Sequence, residues 1–147
     1  MKVSTKVECG ILAMLDIALY AGREEIINVG SISARQNISV KYLEQILPAL
    51  RQARLIRSVK GAKGGYVLAK PAHSISMREV IDALDVTVLS DVDFRDSEQS
   101  GVMMDVVQKS MWDKMTHYLQ KVAAEMTLAD LLEEYQKTNE ESLMYYI

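Results

Sequence analysis

The sequence predicts a mainly α-helical fold with a small β-hairpin wing: a winged helix-turn-helix followed by a long C-terminal helix. Three observations predict it. Between about residues 27 and 69 the order reads helix, turn, helix and glycine-tipped hairpin. Charge divides along the chain: residues 1–72 hold 11 Lys and Arg against 5 Asp and Glu, and residues 73–147 hold 6 against 15. The halves therefore carry +6 and −9 within a net −3, which gives contact with a polyanion to the first half. Third, apolar residues recur with helical spacing over 107–126.

The elements follow in order. Val7, Ile11, Leu12, Met14, Leu15, Ala18 and Leu19 mark a helix over 4–21, capped by Ser4 or Thr5 and ended by Gly22. A short helix near 29–36 turns Ile32 inward, and Asn37 suits a left-handed turn. Ser39 caps a third helix in which Leu43, Ile46, Leu47 and Leu50 share one face. Pro48 removes one backbone donor there and predicts a bend in a helix reaching about Arg54. Ile56–Lys60 and Tyr66–Ala69 read as strands around the turn residues Gly61-Ala62-Lys63-Gly64-Gly65. Met77, Val80, Ile81 and Leu84 mark a helix over Ser76–Leu84, and residues 85–103 are polar and acidic without pattern. A long helix over Asp105–Met126 carries Val107, Met111, Met115, Tyr118, Leu119, Val122 and Met126 in one stripe. Thr127 caps a last helix at 128–137, and the tail 138–147 turns apolar at its end.

Composition narrows the function classes. Apolar residues make up 49% of the 147 and charged residues 25%, which suits a folded soluble chain rather than a disordered one. The run Ile11–Tyr20 is interrupted by Asp16 and is too short to span a bilayer or read as a signal peptide. The single cysteine, Cys9, allows no disulfide within one chain and suits a reducing cytoplasm. No phosphate loop of the GxxxxGK type, no HExxH and no nucleophile–base pairing can be named, so an enzyme is not expected.

Holding Leu43, Ile46, Leu47 and Leu50 on the core leaves Lys41, Tyr42, Glu44, Gln45, Arg51 and Gln52 outward. Gln45 can bond adenine, Glu44 can accept from cytosine N4, and Lys41 or Tyr42 can reach a base or phosphate. Positions 41–63 hold six basic residues, Lys41, Arg51, Arg54, Arg57, Lys60 and Lys63, against Glu44 alone. Lys60 and Lys63 at a hairpin tip suit a narrow, negative minor groove, and the glycines Gly64 and Gly65 let the backbone approach the sugar-phosphate rail.

The run Ile38-Ser39-Val40-Lys41-Tyr42-Leu43-Glu44-Gln45-Ile46-Leu47, with Leu50-Arg51, Ser58-Val59-Lys60-Gly61 and Gly64-Gly65-Tyr66, resembles the Rrf-two superfamily, the IscR, NsrR and CymR type repressors. The opening Met1–Lys6 and Ala13–Leu19 resemble it too, so the likeness spans essentially the whole chain. It implies a repressor that binds double-stranded operator DNA as a homodimer, through a winged helix-turn-helix domain over 1–72. Lys2, Ser4, Thr5, Lys6 and Ser39 join the expected DNA contacts. A connecting helix and acidic loop would fill 73–104. A dimerisation helix and final helix would fill 105–137, pairing protomers through Val107, Met111, Met115, Tyr118, Leu119 and Val122. The family often has Gly-Arg-Tyr where Val7-Glu8-Cys9 stands here, so an N-terminal phosphate contact is expected to be lost at Glu8.

Many such relatives hold an iron–sulfur cluster on three cysteines between the fourth helix and the long helix. Residues 85–105 contain none, so no cofactor is expected. Cys9 reads as a buried, inert thiol on the first helix, with a redox-sensing thiol as the alternative. His73 and His117 lack a ligand pattern. The ending Ser142-Leu143-Met144-Tyr145-Tyr146-Ile147 is apolar where termini are usually polar. A tail over 138–147 can tuck onto its own dimer or dock on a partner. It resembles the tails of CymR-type regulators of cysteine metabolism, and the Ile-ended tail of serine acetyltransferase that enters O-acetylserine (thiol) lyase. That likeness implies cysteine synthase as a corepressor held by Tyr145, Tyr146 and Ile147 and released by O-acetylserine. A protein-binding adaptor that no longer reads DNA is the other alternative, and it would have lost Lys41, Gln45 and the wing lysines.

Overall fold

The computed structural model describes residues 2–21, 26–93 and 101–145. Gly22, Tyr146, Ile147 and part of the acidic stretch lie outside the described residues. Helix α1 (Thr5–Ala21) buries Val7, Ala13, Met14 and Ile17 on one face. Gly10 lies on that face because α4 (Met77–Leu84) crosses close by: a Cβ on Gly10 would come within 2.4 Å of a Leu84 methyl. α2 (Val29–Gln36) starts on Asn28, whose side chain accepts from Ser31 N at 2.8 Å, and ends on Asn37 in the left-handed region at φ 55°. That is the conformation expected of Asn37.

α3 (Val40–Gln52) is continuous through Pro48 and buries Leu43, Ile46, Leu47 and Leu50 completely. It ends two residues earlier than the periodicity predicts, because Arg54 turns left-handed at φ 60°. The Arg54 and Leu55 N–H groups then bond back to Arg51 O at 2.9 Å and Leu50 O at 3.1 Å, and Leu55 packs into the core beside Leu50. This is the paired-bond ending common at helix C-termini. β1 (Ile56–Val59) pairs antiparallel with β2 (Gly65–Leu68) in the register Ile56↔Leu68 to Val59↔Gly65. Ile27 adds a short third edge: its N–H donates to Tyr66 O at 2.9 Å, and it accepts from Tyr66 N at 2.8 Å.

A 3₁₀ turn (Ala72–Ser74) leads into α4, which Ser76 and Glu79 start as a reciprocal capping box. Thr127 and Asp130 start α7 (Leu128–Met144) the same way. The two starts are bonded together, Met77 N to Met126 O at 2.8 Å and Leu128 N to Ile75 O at 2.9 Å. Residues Val88 and Leu89, in the segment that shows no pattern in sequence, are buried against the core.

The long helix begins earlier than predicted, at Val102, and runs as α5 (Val102–Val107), a wider π turn (Gln108–Trp112) and α6 (Asp113–Glu125). Gln108, only 3% exposed, accounts for the widening: its Nε2 donates to Val92 O and to Asp113 Oδ1, the latter at 2.8 Å. α7 overruns its predicted end at 137 by seven residues, so 138–144 continue the helix. Among the described residues no helix is long and apolar enough to cross a membrane.

Candidate nucleic-acid interface

Ser39 sets the start of α3 by accepting from Tyr42 N at 3.1 Å. With four aliphatic residues fixed inward, Lys41, Glu44, Gln45 and Arg51 are exposed, as is Ser39 itself. Tyr42 is different: it is half-buried and packs against the core, so its ring buttresses the helix while Lys41, Glu44 and Gln45 face outward.

α2 is held against α1 by a half-buried ion pair that sequence reasoning missed. Asp16, 2% exposed, accepts from Arg35 Nε at 2.9 Å, Arg35 Nη2 at 2.7 Å and Gln36 Nε2 at 2.9 Å. Arg35 also stacks 4.0 Å above the Tyr20 ring. The bidentate fork fixes direction as well as distance, so the first helix of the helix-turn-helix sits at a set angle to its support. The one acidic residue in an apolar run, Asp16, was the signal available in sequence.

At the hairpin tip Lys60 and Lys63 are exposed, and Gly61 stands at φ 117°. Gly64 and Gly65 have a cause within the chain. A Cβ on Gly64 would lie 2.2 Å from Val59 O, and one on Gly65 would lie 2.4 Å from Ile27 O. Close backbone packing inside the wing requires them, whatever approaches from outside.

Lys2, Ser4 and Thr5 are exposed around the start of α1, where Val7 N reaches Ser4 Oγ at 3.4 Å. Lys6 is half-buried and near Asp85, whose carboxyl lies below its ordinary range chiefly through hydrogen bonds from Thr87, with the Lys6 charge adding to the shift. Part of the Lys6 charge is therefore answered within the chain. Cys9 is half-buried rather than fully enclosed. Burial, and then the neighbouring Glu8 charge, push its thiol above the ordinary range and disfavour the reactive thiolate. His73 and His117 are exposed.

Along the long helix Val107, Met111, Met115, Tyr118 and Val122 are all exposed, Tyr118 at 65%. Leu119 is turned to the other side, half-buried against the core of its own chain with Ala123. Tyr145, at the end of α7, is 91% exposed.

The Rrf2 family model, described as iron-dependent transcriptional regulator, matches residues 3–134. The chain is 32% identical to the transcriptional regulator CymR of Bacillus subtilis strain 168 over the full length of both. It is 43% identical to IscR of Cereibacter sphaeroides, in a match that covers 60% of this chain and 57% of that one. A solved structure described as CymR, the global cysteine regulator of B. subtilis, superposes with a TM-score of 0.79 at 30% identity, covering 91% of this chain and 98% of the other. An IscR structure from T. potens gives 0.74 at 36% identity, covering 94% and 90%. As for iron, a cysteine-held cluster takes several thiolates, and one Cys9 per chain does not supply such a donor set. The winged-helix architecture, the YLEQ-to-GGY segment in its expected place and the match over residues 3–134 lead to one assignment: the chain belongs to the Rrf2 family of transcriptional regulators.

Proposed function

We propose that the chain is a cytoplasmic repressor that binds a pseudo-palindromic DNA operator as a homodimer. The observation that carries this reading is α3: it is anchored by four buried aliphatic residues and leaves Lys41, Glu44 and Gln45 exposed on its first turns, with Lys60 and Lys63 exposed at the wing tip. Gln45 and Glu44 have the donors and acceptors to read base edges, while the lysines supply sequence-independent attraction to phosphate. Lys60→Ala should weaken binding to operator and unrelated duplexes alike and reduce the salt slope by about one. Gln45→Ala should cost about 1–3 kcal/mol on the operator and relax preference at one base pair. Fluorescence anisotropy across a salt series checks both; affinity indifferent to salt would sink the DNA reading.

The regulated genes on this reading belong to cysteine and sulfur metabolism. The similarity to a protein described as a global cysteine regulator supports it. Cysteine synthase would hold the tail through Tyr145, Tyr146 and Ile147. An enzyme built to bind an amino-acid carboxylate has donors that a peptide carboxylate can borrow. O-acetylserine would compete for that pocket and relieve repression. Deleting Ile147 should abolish capture of cysteine synthase and leave bare DNA affinity intact. Undiminished capture by the shortened chain would refute the tail's role.

A further inference from the structure

Arg54 sits just beyond the cap of α3 in the left-handed region, at φ 60°. Glycine occupies that position in a helix ending without steric strain, and a side chain does not. Folding alone therefore favours glycine there, and the arginine side chain needs another reason. It lines a shallow cleft of about 490 Å³ with Arg51, Arg57, Ile56, Ser58 and Lys70. Lys70 is answered by Glu79 at 2.5 Å. Among the described residues no carboxylate pairs with Arg51, Arg54 or Arg57, and all three are exposed. Gathering three like charges around one cleft adds repulsion that the fold does not offset.

We propose that Arg51, Arg54 and Arg57 form a clamp for backbone phosphates of duplex DNA, separate from the base-reading turns of α3. The inference rests on the DNA-binding reading above. Arg51 follows Glu44 by seven residues and so shares its helix face, about 10 Å further along the axis. A major groove is about 12 Å wide. If the first turns of α3 meet base edges, Arg51 is spaced to meet the rail bordering the groove. Arg54 and Arg57 extend the same positive surface toward the wing. Guanidinium forks match phosphate oxygens in pairs, which suits arginine better than lysine for this task.

The test is a salt series on the full chain with a fluorescent mixed-sequence duplex, comparing the parent, Arg54→Gly and Arg57→Gln. Arg54→Gly should melt at or near the parental temperature, since it relieves the left-handed strain, yet bind several-fold more weakly with a salt slope reduced by about one. Arg57→Gln, at an exposed strand position, should reduce the slope by a similar amount without relieving any strain. Parental affinity and slope in both variants would overturn the clamp while leaving the DNA reading standing. Salt-independent binding by the parent itself would overturn that reading and the clamp with it.

Discussion

A methyl group is enough to separate wing packing from DNA contact at Gly65. The Cβ of an alanine there would lie 2.4 Å from the Ile27 carbonyl oxygen, inside any tolerable contact, and the obstacle is backbone rather than a movable side chain. Gly65→Ala must therefore break the Ile27–Tyr66 pairing or move the hairpin. We expect a loss of about 1–3 kcal/mol, read as a lower denaturant midpoint with unchanged slope. A variant as stable as the parent would return these glycines to the role of admitting a sugar-phosphate rail. Sequence reasoning identified the glycines but not their cause, because the clash partner, Ile27, lies far upstream and comes near only through tertiary structure. Asn37 and Ser39 were legible for the opposite reason: a left-handed turn and an N-cap are settled by chemistry within a few residues. Asp16 sits between these cases. A carboxylate in an apolar run signals a charged partner, but nothing local names Arg35.

At the scale of elements, the adjoining starts of α4 and α7 join the DNA-binding half to the C-terminal half. Two reciprocal capping boxes stand side by side, linked by the Met77–Met126 and Ile75–Leu128 backbone bonds. Burial tends to raise the Glu79 carboxyl, but bonds from Lys70, Ser76 N and Ser76 Oγ outweigh it and hold the group below its ordinary range. A carboxyl lowered by folding contributes its stability in full above the unfolded pKa and loses it as pH falls through the folded value. Glu79→Gln should accordingly lower the melting temperature near neutral pH and narrow its difference from the parent as pH falls from about 5 to 3. A difference that stays constant through that range would remove Glu79 from the acid response. The same scale shows where pattern reading stops. The overrun of α7 through 138–144 carries no apolar stripe, and a π turn depends on where one side chain, Gln108, finds its acceptors. Neither leaves a periodic trace, although the Glu, Gln, Lys, Leu and Met of α7 are strong helix formers.

For the whole molecule, the long helix must satisfy two opposed faces. Thr116, Leu119 and Ala123 turn toward the protein's own core, and Met111, Met115, Tyr118 and Val122 turn outward. Apolar periodicity alone put Leu119 with the outward set, since a stripe read from sequence does not distinguish one's own core from a partner's. A twofold dimer built on the outward face would place identical residues against one another, and its symmetry would be mirrored in a pseudo-palindromic operator. Tyr118→Asp tests this assembly without touching the core, because the side chain is 65% exposed in the single chain. Facing carboxylates across the twofold axis would be desolvated and mutually repelled, so the dimer constant should weaken by about 100-fold or more. Sedimentation equilibrium would show mainly monomer at concentrations where the parent is dimeric, with circular dichroism unchanged. Such a monomer should bind an isolated half-site much as the parent's single domain does, yet lose the added affinity that joining two half-sites brings. A Tyr118→Asp chain that sediments as a dimer and holds the full operator with parental affinity would move the dimer interface away from this face.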